Sequence, residues 1–158
     1  MLSPAVALLA DGRFPTGGHA HSGGFEAAHR AFGLSTDAEV REVIDARLAT
    51  VGTTEAALLA AIRHQIDVGS VDWDVVDAEL TARIAPPVLR DTSRSLGRQW
   101  HRAGREVFGE GVIAAIDVTD DGPHQLAAIA VVMCAASVPP GDAVVVHLHH
   151  LVVTVATR

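Results

Sequence analysis

The 158-residue sequence contains no lysine, no asparagine and no tyrosine, and all 12 of its positively charged residues are arginine. Without lysine there is no Schiff-base amine and no phosphate-gripping lysine of the P-loop kind, so nucleotide hydrolysis by that route is excluded. Cys134 is the single cysteine, which rules out an intrachain disulfide and a cysteine-based zinc site. Positive charge is also scarce overall. A formal net charge of -7 leaves no basic footprint for a phosphate backbone, so no nucleic-acid partner is expected. Long hydrophobic runs are missing too. The apolar stretch Ala5 to Ala10 has no positive flank and meets Asp11, unlike a secretory signal. Residues 127–138 and 143–155 are each too short to span a bilayer, and Pro139-Pro140-Gly141 separates them. No membrane association is expected, and the chain reads as cytoplasmic.

What is present is a globular composition, 49% apolar and 20% charged, in a length that suits one domain and is too short for a (β/α)8 barrel. The apolar spacing is helical almost throughout. Ser3 and Pro4 open a short helix that buries Val6 and Leu9. Phe25, Ala28 and Phe32 share one face of a second short helix stopped by Gly33. Thr36 and Glu39 form a capping box ahead of Val40, Val43, Ile44, Leu48 and Val51, and Gly52 reads as the end of that helix. The pattern repeats from Thr54 to Ile66 and from Asp72 to Ile84. Pro86 and Pro87 then stop one helix and start another, which runs to about Phe108. Beyond Asp121-Gly122-Pro123, Leu126, Ile129, Met133 and Ala136 give a further apolar face, with Cys134 beside it as a core residue. The last segment has the β-branched composition of a strand, but Val144, Leu148, Leu151 and Val155 recur at helical spacing and no partner strand exists. The fold class expected is an all-α, single-domain helical bundle.

Two stretches stand out. The loop from Asp11 to Glu26 is rich in glycine, carries Pro15, and is bracketed by charged residues and two short helices; it reads either as a surface linker or as a functional loop. His19 and His21 within it form an H-x-H pair. A metallohydrolase would need further ligands, and no H-E-x-x-H or cysteine complement supplies them. His147 and His150 would share a helix face, expected to be solvated or turned toward a partner. The second stretch is the helix after Pro87, where Arg90, Arg94, Arg98 and Arg102 repeat every four residues. Like charges at that spacing cost about 0.2–0.5 kcal/mol per contact, which burial of Leu96 and Trp100 on another face offsets. Two readings stay open: the arginines pair internally with the excess Asp and Glu, or they present a basic ridge to a partner.

Both stretches resemble the UreF family of urease accessory proteins. The loop keeps the family's N-terminal signature at Asp11, Arg13, Pro15, Gly17, Gly18, His21, Ser22, Gly24 and Glu26, and departs from it at Gly12, Phe14, His19 and Phe25. The second stretch matches the family's arginine-rich helix at Arg90, Ser93, Arg94, Gly97 and Arg98, with Thr92 replacing an alanine. Gly97 in mid-helix, costly by about 1 kcal/mol against alanine, then makes sense as a close-packing position. The resemblance covers the chain, 1–158, as one UreF-like helical domain lacking the family's C-terminal helices. It implies a homodimeric adaptor in urease maturation, without a cofactor or catalytic residues, that bridges UreD (also called UreH) and the GTPase UreG. That assembly delivers nickel to apo-urease in a GTP-dependent way, and the matched residues become candidate partner-binding positions. The alternatives are a small metal-binding enzyme using His19 and His21, or a helical dimerisation module unrelated to urease.

Overall fold

A computed structural model describes residues 3–11, 14–15, 24–116 and 121–156. Among them there is no strand; the order is α1 (Pro4–Ala10), α2 (Phe25–Phe32), α3 (Asp37–Arg47), a π turn (Leu48–Gly52), α4 (Thr53–Asp67), α5 (Trp73–Arg83), α6 (Pro87–Phe108), a 3-10 turn (Val112–Ile116), α7 (Gln125–Ala135) and α8 (Pro140–Ala156). The all-α expectation holds, and the final segment is a helix. In the glycine-rich loop, Arg13, Gly17, Gly18, His19, His21 and Ser22 lie outside the described residues.

The core is built around α7. Its sequence is apolar on every side, as a helix enclosed by others requires, and every residue from Leu126 to Met133 is buried. α6, α4 and the 3-10 turn all pack against it, and α8 packs on α4 and α1. α6 is about 33 Å long and turns Leu96, Gly97, Trp100, His101, Ala103 and Gly104 inward. Trp100, 2% exposed, packs its ring against Phe14 and His150 at centroid distances of 5.4 and 5.9 Å.

Glycine permits the close approach of α6 to its neighbours. A β-carbon built on Gly97 would run into the carbonyl oxygen of Pro123 and lie 2.9 Å from the carbonyl carbon of His124, so the backbone there leaves room for hydrogen alone. The close-packing role expected of Gly97 is what the structure shows.

Local signals end and begin the helices largely as the sequence implies. Ser3 accepts from the Val6 N–H at 3.2 Å, and Thr36 with Glu39 completes the capping box. Glu39 accepts from the Ser35 and Thr36 N–H groups at 2.9 Å each, and these bonds, Ser35's foremost, hold its carboxyl below the ordinary value. α7 ends where Ser137 takes a positive φ of 55°, with the Val138 N–H returning to Met133 O at 2.9 Å.

Two expectations are corrected, for Gly52 and Cys134, and the face of α2 is found uncovered by the described residues. Gly52 does not end a helix: it has helical dihedrals, and the chain passes from α3 to α4 through a π turn. Threonine hydroxyls occupy carbonyls around that turn, Thr50 donating to Ala46 O at 2.8 Å and Thr53 to Leu48 O at 3.1 Å, while a β-carbon on Gly52 would come within 3.3 Å of Leu148. The apolar face of α2 is not covered by the described residues; none of its side chains is buried, and Phe32 is 78% exposed. Cys134 is half-buried rather than core, with its sulfur 3.9 Å from Asp67 Oδ1.

Candidate functional site

The arginine face of α6 gathers most of the polar residues singled out in the sequence. Its position follows from Pro86 and Pro87, which fix the start of the helix, and from the apolar face that docks on α7, leaving the arginines toward α5 and the segment leading into α7. Arg90 bends back to donate from one nitrogen to Ile84 O and Ala85 O, at 2.8 and 2.7 Å, closing carbonyls left open at the end of α5. One turn on, Arg94 makes a two-pronged pair with Asp77 of α5 at 2.8 and 2.9 Å. It also donates to Gly122 O at 2.7 Å and to Thr81 Oγ1 at 3.4 Å. Arg98 donates to Asp121 O at 2.6 Å.

Behind these arginines lies His124, 1% exposed. Its Nε2 is 3.0 Å from Thr81 Oγ1 and its Nδ1 3.1 Å from Ser93 Oγ; Ser93 Oγ also accepts the first N–H of α7, from Gln125, at 3.2 Å. Burial, with the positive charge of Arg94 second, pushes the His124 ring below its ordinary pKa. The Arg94 hydrogen bonds hold the Asp77 carboxyl below the ordinary value, and Asp77 in turn raises Arg94. The node is therefore an ion pair and a neutral imidazole that join α5, α6 and the start of α7.

Arg90, Ser93, Arg94, Gly97 and Arg98 thus meet at one junction. Of the two readings of the ridge, internal pairing accounts for Arg90, Arg94 and Arg98, although chiefly through backbone carbonyls rather than acidic side chains. Arg102 is exposed and makes no hydrogen bond or ion pair among the described residues. Asp11, Pro15, Gly24 and Glu26 belong to the other stretch. Asp11 caps α1, its N–H reaching Ala7 O at 3.1 Å, and its carbonyl accepts from Phe14; Gly24 caps α2 at φ 93°. Asp11 and Glu26 each have interaction partners.

Several polar residues were missed or misjudged from sequence. Arg63 is 4% exposed inside the core, donating to Ala130 O at 3.4 Å and Val138 O at 3.3 Å and pairing with Asp67 at 3.3 Å. His147 is buried with its Nε2 2.9 Å from Glu55, and His150 Nε2 donates to Leu9 O at 2.7 Å, so neither is solvated or turned outward as expected. Nothing in the spacing marks these as internal, because their partners come from distant helices. Among the described residues, no group of three or more His, Cys, Asp or Glu is placed to hold a metal ion, and no helix is long and apolar enough to cross a membrane.

Fold and node together define an all-helical scaffold in which the sequence's most distinctive polar residues fasten helices to one another. The family model described as UreF matches residues 34–157, and the chain belongs to the UreF family. It is similar to the urease accessory protein UreF of Mycolicibacterium vanbaalenii, 37% identical over 134 residues that cover 84% of this chain and 60% of that protein. The urease accessory protein UreF of Mycobacterium marinum is 34% identical over 132 residues, 84% of this chain and 59% of the relative. That of Mycobacterium tuberculosis is 39% identical over 109 residues, 68% and 50% respectively. The chain thus spans roughly 60% of the length of the first of these relatives. No solved structure matches it. The arginine helix lies within the matched span and the glycine-rich loop lies before it.

Proposed function

We propose that this chain is a urease accessory protein acting as a helical adaptor: it bridges UreD/UreH and the GTPase UreG and governs GTP-dependent delivery of nickel to apo-urease. Membership of the UreF family carries this reading, since the relatives bear the name urease accessory protein. In this reading the protein works in the cytoplasm as a homodimer, with nickel as cargo and no catalytic residue. The fastened node keeps α5, α6 and the approach to α7 in one fixed arrangement. An adaptor benefits from such rigidity, because less ordering remains to be done when a partner binds. Arg102, the ridge arginine without a partner among the described residues, faces an acidic surface of a partner protein, and the glycine-rich loop from Asp11 to Glu26 supplies further contacts.

The test is urease activity in nickel-supplemented cells that carry a urease operon deleted for its own UreF. Expression of this chain restores activity above an empty vector, and tagged chain co-purifies with UreD and UreG. Absence of both activity and co-purification, from a chain shown by circular dichroism to be helical, overturns the adaptor reading.

A further inference from the structure

Between the π turn, the end of α5 and the start of α7 lies an open cleft of about 390 Å³, within the range of about 300–1,000 Å³ typical of ligand sites. Its walls are hydrocarbon, from Val51, Leu58, Leu80 and Leu126. Its polar groups are mostly spent. The Thr54 hydroxyl donates to Thr50 O, Ser93 and His124 bond each other, and Arg83 is held by Glu79.

Among the described residues, the Gln125 side-chain amide and Glu55 are not fully spent, and of the two Glu55 carries the charge. Its Oε2 meets His147 Nε2 at 2.9 Å, while Oε1 receives no hydrogen bond among the described residues, and the side chain is 34% exposed. His147 is 5% exposed, and its Nδ1 is buried without a hydrogen-bond partner. One carboxylate oxygen of Glu55 is thus left without a protein partner among the described residues, in a cleft whose walls are largely hydrocarbon.

We propose that this cleft receives an alkyl cation, its hydrocarbon stem against Val51, Leu58, Leu80 and Leu126 and its charged head on Glu55. Lys and Arg side chains carry this chemistry, burying their stems while the head stays polar. Val51 at the π turn is 42% exposed, so the apolar wall continues out of the cleft onto the surface. The source is therefore a basic side chain carried on a larger apolar body, a partner polypeptide, rather than a free amine. This inference does not depend on the urease reading.

The experiment follows backbone amide shifts of the whole chain by NMR during titration with n-hexylammonium, with n-hexanol as the neutral match and a capped Gly-Lys-Gly peptide as the protein-like source. Hexylammonium shifts the amides of Val51, Glu55 and Leu126, with affinity on the order of 1 mM and roughly fivefold tighter than hexanol. Glu55→Gln, which keeps an acceptor for His147, removes the preference. Should that variant fail to fold, the wild-type comparison decides alone: equal affinities for amine and alcohol, or shifts scattered away from the cleft, overturn the proposal. The peptide shifts the same amides, and a response to free amine without one to peptide overturns the assignment to a protein side chain.

Discussion

Arg94 and Asp77 stand 17 residues apart and meet through two parallel hydrogen bonds of 2.8 and 2.9 Å, with side chains 15% and 24% exposed. The fork geometry matters as much as the charge, since lysine could not make both bonds. Arg94 also holds the Gly122 carbonyl, so one side chain positions α5 and the entry to α7 together.

Arg94→Ala is expected to destabilise the fold by about 3 kcal/mol, because it leaves Asp77 a half-buried, unpaired carboxylate. Arg94→Lys costs less, about 1.5 kcal/mol. Urea denaturation measures both, and a double-mutant cycle with Asp77→Ala isolates the pair. Losses under about 0.5 kcal/mol, the range of an ordinary surface change, contradict the role assigned to the pair.

The node also sets a pH dependence. His124 titrates below its ordinary 6.5 in the folded chain, so the folded state binds fewer protons than the unfolded state once the pH falls below that value. Its stabilising contribution is complete above about pH 6.5 and is lost as the pH drops toward the folded value. Asp77, lowered from 3.8, acts in the same direction in a more acidic window. The wild type therefore loses stability between pH 7 and pH 5, more steeply than His124→Gln, and the gap between them narrows. Parallel stability curves for the two proteins count against this account.

Glycine-to-alanine exchange in a helix interior gains up to about 1 kcal/mol. At Gly97 the sign reverses: the added carbon meets the Pro123 carbonyl, and overpacking of this kind costs about 1–3 kcal/mol. Gly141, in the first turn of α8, has open space and no positive φ, so Gly141→Ala gains about 0.5 kcal/mol. Thermal melts of the two variants are expected to move in opposite directions.

Arg102→Ala leaves stability within about 0.5 kcal/mol of wild type. In the adaptor reading, it weakens capture of the acidic partner roughly fivefold, an effect that fades with added salt. Co-purification with UreD and UreG at two salt concentrations measures it. Unchanged yields at both assign the ridge to internal fastening alone.

Much of the helical order was legible because apolar periodicity and caps are local: Thr36 with Glu39, Ser3 with Pro4, and the spacing of Leu126, Ile129 and Met133 needed no knowledge of neighbours. Gly52 misled for the same reason. Glycine is read as a stop from backbone propensity, and only the threonine bonds around the π turn and the proximity of Leu148 show why the helix continues. At the candidate site, the grouping of Arg90, Ser93, Arg94, Gly97 and Arg98 on one helix was readable. Their targets were not, because the carbonyls of Ile84, Asp121 and Gly122 are brought to them by turns of the chain that spacing does not describe. Arg63 and His147 escaped for a related reason: a buried polar residue announces itself through partners 67 to 92 positions away.

The helix that the others enclose follows its main neighbours in the chain. α1, α4 and α6 are all synthesised before α7, yet α7 fills the space between α4 and α6. During translation, Leu59 and Ile62 of α4 and Ala103 of α6, which share the core cluster with residues 126–133, must wait for α7 before that cluster is complete. The nascent protein therefore exposes a wide apolar surface until α7 has emerged, and a helper that shields such surfaces on the ribosome would raise its folded yield more than one acting after release.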